Sequence, residues 1–137
     1  MEKRTKFSLT IIMKKILMID EDRFLRKIYK NKFLNSGFEF SEATNGIEGL
    51  NKIFSEKPDL VLLDIILPRK NGFDVLIETR RNTTTKKIPF IIISNLGQDS
   101  DIKRGISLGA KDYLVKTDVS HSEVVNKVKE CLLKTSV

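Results

Sequence analysis

Several apolar runs in this 137-residue chain stop on a residue that can do chemistry. Ile16–Ile19 stops on Asp20-Glu21-Asp22, Leu60–Leu63 on Asp64, Phe90–Ile93 on Ser94, and Tyr113–Val115 on Lys116. Carboxylates crowded together repel and raise one another's pKa unless a cation joins them, so the acids call for a hard divalent ion. Mg2+ fits, because it takes one or two carboxylates and otherwise keeps waters and phosphate oxygens. The natural guest of such a site is a phosphoryl group. Ser94 would donate to its oxygen, Lys116 would neutralise it, and Asp64 would accept it covalently, as aspartyl carboxylates can. Taken singly, each residue has a plainer account: acids favour helix N-termini, serines favour turns, and lysines lie on surfaces. Their shared position at the ends of apolar runs carries the reading.

The runs themselves are strands. Leu60–Leu63 has no polar interruption, the signature of a strand buried on both faces, and Pro68 with Asn71-Gly72 forces a turn just beyond Asp64. Between the runs, apolar residues recur at helical spacing. Leu25, Ile28, Tyr29 and Phe33 mark a first helix closed by Asn35-Ser36-Gly37, and Asn45 with Glu48 opens a second that reaches about Ser55. Phe73, Val75, Leu76 and Thr79 form the inner face of a third. A fourth is expected from about Ser100 to Leu108, with Ile102 and Ile106 inward. Ser120 and Glu123 cap the last, whose Val124, Val125, Val128, Cys131 and Leu132 face the core. Phe38 to Ala43 alternates, which suits a strand at a sheet edge. The pattern is strand then helix, five times, and implies an α/β domain with a parallel sheet, right-handed crossovers and helices on both faces. In such folds the ligand crevice lies outside the C-terminal ends of the strands, where the candidate residues fall.

Composition bounds the rest. The length suits one domain, and 40% hydrophobic with 31% charged residues is ordinary for a globular protein. A lone Cys131 argues against disulfides and for a reducing compartment, and no apolar run approaches a membrane span, so a cytoplasmic location without membrane contact is expected. The net charge of +7 is scattered over helices and loops and accompanies no nucleic-acid-binding motif. Solvated helix faces explain it, and no direct nucleic-acid contact is expected. Residues 1–13 belong to no clear element and are expected to be a flexible extension, leaving the domain at 14–135.

From Lys14 to about Lys134 the chain resembles a bacterial two-component response-regulator receiver domain of the stand-alone, chemotaxis-regulator kind. The residues that carry the likeness are ILMIDED, LVLLDIILPRKNG, FIIIS and GAKDYLVK. The resemblance implies a doubly wound, flavodoxin-like sheet of order 2-1-3-4-5 with five helices. It implies Asp64 as phosphoacceptor, Mg2+ held by Asp20, Glu21, Asp64 and the Ile66 backbone carbonyl, and Ser94, Tyr113 and Lys116 as the groups that transmit phosphorylation. The donor would be a sensor histidine kinase or histidine phosphotransfer protein. As Ser94 is drawn toward the phosphoryl group, Tyr113 would turn inward and change the face built by the fourth helix, fifth strand and fifth helix. No output domain is expected beyond the last helix, so a downstream effector protein would read that face, with the chain a monomer or a phosphorylation-dependent dimer. Such a domain assists its own phosphorylation and dephosphorylation but is not otherwise an enzyme.

Three residues depart from the family's usual pattern: Glu21 stands where Asp is usual, Asn95 where a small residue is usual, and Thr117 where proline follows the lysine. For a non-proline residue a cis bond costs about 2.5–4 kcal/mol, so a trans Lys116-Thr117 peptide and a rearranged loop to Ser120 are expected. Ile66 and Leu96, two residues beyond Asp64 and Ser94, are both apolar and cannot orient a hydrolytic water. Two other classes of function compete with the phosphorylated switch. A receiver-like interaction module that is never phosphorylated would usually lose an acid or the lysine, and a metal-dependent phosphatase would need a separate general acid.

Overall fold

The computed structural model describes residues 14–136, with side chains as far as Leu133, so the proposed extension at 1–13 lies outside the described residues. Strands β1 (Lys15–Ile19), β2 (Glu39–Ala43), β3 (Leu60–Leu63), β4 (Phe90–Ser94) and β5 (Asp112–Val115) alternate with helices α1 (Arg23–Asn35), α2 (Gly46–Glu56), α3 (Gly72–Arg81), α4 (Asp99–Ser107) and α5 (His121–Ser136). All neighbouring strands pair in parallel, in the order β2-β1-β3-β4-β5, as the resemblance implies. The central strands are continuously apolar because helices cover both faces, and every residue of β3 and β4 is buried. One core layer gathers Ile16, Met18, Leu62 and Ile93 with Tyr29 and Phe33 of α1 and Val124 and Val128 of α5. The other gathers Leu17, Ile19, Leu63 and Ile92 with Ile53 of α2 and Val75 and Leu76 of α3.

The helix boundaries follow local chemistry. Asn45 Oδ1 accepts from the Glu48 amide at 2.9 Å, and Ser120 and Glu123 form the reciprocal capping box expected at the start of α5, at 3.1 and 3.2 Å. Asp22 caps α1, accepting from the Phe24 and Leu25 amides. Two expected core positions are exposed: Ile28 by 37% and Ile106 by 46%. Their places on the inner faces are taken by Arg26 in α1 and by Gly105 in α4, the one buried residue of that helix. Gly105 lies so close to the sheet that a Cβ there would stand 2.7 Å from Ile92 Cδ1 and from Tyr113 Cδ2. Cys131 is half-buried at the margin of the α5 packing. Among the described residues no helix is long and apolar enough to cross a membrane.

Candidate functional site

Register brings the acids together. β1 and β3 pair with Ile19 opposite Leu63, so the next residue of each strand, Asp20 and Asp64, emerge side by side at the C-terminal edge of the sheet. The ladder continues past the strands: the Asp64 amide donates to the Ile19 carbonyl and the Asp20 amide to the Ala43 carbonyl, both at 3.0 Å. β5 ends one residue before Lys116, with Val115 opposite Ser94. Lys116 then reaches back across the sheet, and its Nζ stands 2.8 Å from Asp20 Oδ2 and 2.8 Å from Asp64 Oδ2. The remaining Asp64 oxygen accepts from the Ile66 amide at 3.1 Å, and Asp20 Oδ1 accepts from the Asp22 amide at 2.8 Å.

These groups border a cleft of about 370 Å³ lined by Asp20, Glu21, Asp22, Asp64, Ile66, Asn95 and Lys116. Asp20 and Asp64 are only 1% and 5% exposed, whereas Glu21 is exposed at the cleft mouth. Burial raises the Asp20 pKa, and the Lys116 hydrogen bond and the Asp22 amide only partly offset it. For Lys116, burial acts downward, but the bonds and charges of Asp20 and Asp64 outweigh it and raise the pKa. The ammonium therefore stays charged and holds two carboxylates that would otherwise repel.

The donor set suits a divalent cation. Asp20 Oδ2 is buried, and its partner among the described residues is the Lys116 ammonium at 2.8 Å. All the available donors are hard oxygens. No group of three acidic, His or Cys side chains among the described residues converges to ligating distance. A cation here would rest first on the Asp20 and Asp64 carboxylates, with waters and the other oxygens at the cleft, from Glu21 and Ile66, to complete its shell, the habit of Mg2+.

The hydroxyl and the aromatic sit differently. Ser94 is fully buried beneath the cleft rather than lining it, and its Oγ accepts from the Leu96 amide at 3.3 Å. Tyr113 is already inward, 7% exposed, with its hydroxyl donating to the Leu96 carbonyl. The space comes from Gly105, whose missing side chain admits the ring. Burial, with repulsion from Asp101 and Asp64, pushes the Tyr113 phenol up to about 12. The Lys116-Thr117 peptide is trans, as expected, and Lys116–Asp118 form a 3-10 turn ahead of α5. Sequence reading missed Arg26, a buried charge behind the acid loop. Its spacing, three residues before Tyr29 and seven before Phe33, puts it on their stripe of α1, but a charged side chain at such a position reads as solvated.

Residues 16–129 match the family model of the response regulator receiver domain. The chain belongs to that family. This receiver domain is 38% identical over 104 residues to chemotaxis protein CheY of Thermotoga maritima, covering 75% of the chain and 85% of that protein. It is 34% identical over 122 residues to a probable transcriptional regulator ycf27 of Guillardia theta, covering 89% of the chain but 46% of that protein. The receiver domain thus spans about half the length of some of its curated relatives. Among solved structures, the receiver domain of Francisella response regulator 1452 superposes with a TM-score of 0.82 at 28% identity, covering 89% of this chain and 98% of that one. A CheY of Borrelia burgdorferi, in complex with CheX, BeF3 and Mg2+, gives a TM-score of 0.82 at 26% identity, covering 92% and 98%. Receiver domains are the switch modules of two-component response regulators and carry no separate catalytic domain.

Proposed function

We propose that this receiver domain is switched by phosphorylation of Asp64, with Mg2+ held by Asp20, Asp64, the Ile66 backbone carbonyl and the longer arm of Glu21. The observation that carries the reading is the Lys116 ammonium, 2.8 Å from both buried carboxylates at the tips of adjacent strands. A pair of acids so placed forms an anionic seat with one compact positive charge beside it, the arrangement phosphoryl transfer requires. The cation supplies neutralisation of the charge on the transferring oxygens. An Asp64 oxygen forms the new O–P bond while the P–N bond of a phosphohistidine donor breaks, its electron pair returning to the donor imidazole. Lys116 moves from bridging two carboxylates to pairing with the phosphoryl group, and Ser94 gives up its local bond to donate to it.

The donor is a sensor histidine kinase or histidine phosphotransfer protein, and the signal leaves through the α4–β5–α5 face to an effector protein. The presence of both acids and the lysine favours this over an interaction module that is never phosphorylated. Beryllofluoride with Mg2+ should bind saturably and cooperatively to the wild type and fail with Asp64→Asn; equal binding to that variant would remove the proposal. Ile66 and Leu96 offer no polar group to a hydrolytic water, so the acyl phosphate should decay slowly. Its half-life, followed after removal of the donor, should shorten in the Ile66→Asn/Leu96→Glu variant, and an unchanged half-life counts against that role.

A further inference from the structure

The acid loop is gripped from behind by a charged residue outside the cleft. Arg26, in the first turns of α1, is 8% exposed and occupies a position on the helix face that an apolar side chain could fill. Arginine is almost never so buried unless its donors are engaged. One end of this guanidinium donates to the Asp20 backbone carbonyl at 2.7 Å, and its Nε donates to Glu42 Oε1 of β2 at 2.8 Å.

The consequence lies in what else holds Asp20. Its amide is bonded to the Ala43 carbonyl of β2, and its Oδ1 to the Asp22 amide. With the carbonyl fixed by Arg26, the residue is held by its N–H, its C=O and one carboxylate oxygen, and β2 anchors both main-chain ties. Only Oδ2 is left, and it is the oxygen that meets Lys116. The Arg26–Glu42 ion pair cancels its own charge, so it orients the acid loop without adding net positive charge beside the carboxylates.

We infer that Arg26, held by Glu42, is a positioning residue for the cation site: it fixes the peptide joining Asp20 to Glu21 and so aims the Asp20 carboxylate into the cleft. The inference rests on the reading of that cleft as a Mg2+ site. A lysine at position 26 keeps a donor for the Asp20 carbonyl but lacks the fork that also engages Glu42, so it should substitute only in part.

The test is Mg2+ affinity by calorimetric titration of the full chain, well below its melting temperature, with amide exchange of the metal-free protein as a second readout. Arg26→Gln should weaken Mg2+ binding about tenfold, as loss of outer partners of metal ligands does. Arg26→Lys should fall between it and the wild type, and the Asp22 amide should exchange faster in metal-free Arg26→Gln. Phe33→Leu is the control, because it removes volume from the same fully buried stripe without touching Asp20, and it should lower the melting temperature while leaving Mg2+ affinity unchanged. Wild-type affinity in Arg26→Gln, or an equal loss in Phe33→Leu, would overturn the inference and leave the cation site standing. Absence of Mg2+ binding by the wild type would remove both.

Discussion

The acid side of the cleft and its hydroxyl side are built on the same sheet but to different tightness. On the acid side, the Lys116 ammonium bridges Asp20 and Asp64, the Asp22 and Ile66 amides donate to their carboxylates, and the Ala43 carbonyl holds the Asp20 main chain. On the hydroxyl side, Ser94 has only the long bond from the Leu96 amide, Asn95 and Gly97 are exposed, and the nine-residue α4 buries Gly105 alone. α4 is secured elsewhere by the Arg104 guanidinium, 4.3 Å from the centre of the Phe73 ring, and by half-buried Ile102 and Leu108. Segments with few buried apolar contacts open at low free energy, whereas a fully satisfied polar cluster is rigid. Under the proposed phosphorylation switch, the acid side would be preformed to receive charge and the hydroxyl side would be the part free to respond.

The largest expected effect is on the acid side. Lys116→Met leaves two buried carboxylates facing each other. Removing one partner of a buried pair costs about 3–5 kcal/mol, and since the Lys116 side chain is 17% exposed, the loss should lie at or below the lower end of that range. Ser94→Ala gives up a single long hydrogen bond and should cost about 1 kcal/mol or less. Urea unfolding of the metal-free variants measures both, and Mg2+ should restore more stability to Lys116→Met than to the wild type. Equal losses in the two variants would erase the contrast.

A smaller effect sharpens the hydroxyl side. Gly105→Ala puts a methyl group 2.7 Å from the Tyr113 ring, an overpacking of about 1–3 kcal/mol that is relieved if the ring swings out. Tyr113 would then lose its Leu96 acceptor and its burial, and its pKa should fall from about 12 toward the ordinary 10. Both tyrosines of the chain are shifted upward by burial, Tyr29 the more strongly. Their folded-state pKa values exceed the unfolded ones, so the associated stability is complete below pH 10 and is lost as pH rises toward 12. Phenolate absorbance should therefore stay low at pH 10.5 in the folded wild type and rise by a large fraction of one tyrosine in Gly105→Ala. A wild type that ionises one tyrosine at 10 would contradict the inward ring.

The sheet was legible in the sequence because burial on both faces leaves a mark that needs no tertiary knowledge: Leu60–Leu63 and Phe90–Ile93 are apolar throughout, and the residue after each run stands at the cleft or beneath it. The coming together of Asp20 and Asp64 followed from parallel register. The α4 packing was not legible, because periodicity marks apolar residues and this helix approaches the sheet through a glycine, leaving Ile106 outside. Nor was the inward Tyr113, which depends on Gly105 and on a main-chain oxygen at Leu96, neither of which sequence spacing reports. Arg26 was hidden by its type: a charge reads as solvated unless its partners, here Glu42 and the Asp20 carbonyl, are seen.

The most direct test of the account is to incubate the protein with Mg2+ and a small phosphodonor and locate the product by peptide mass mapping. The account predicts one added phosphoryl group, on the peptide carrying Asp64, that is lost when Mg2+ is chelated beforehand and in Asp64→Asn. A wild type that gains no phosphoryl group, or one that carries it elsewhere while Asp64→Asn is labelled equally, would contradict it.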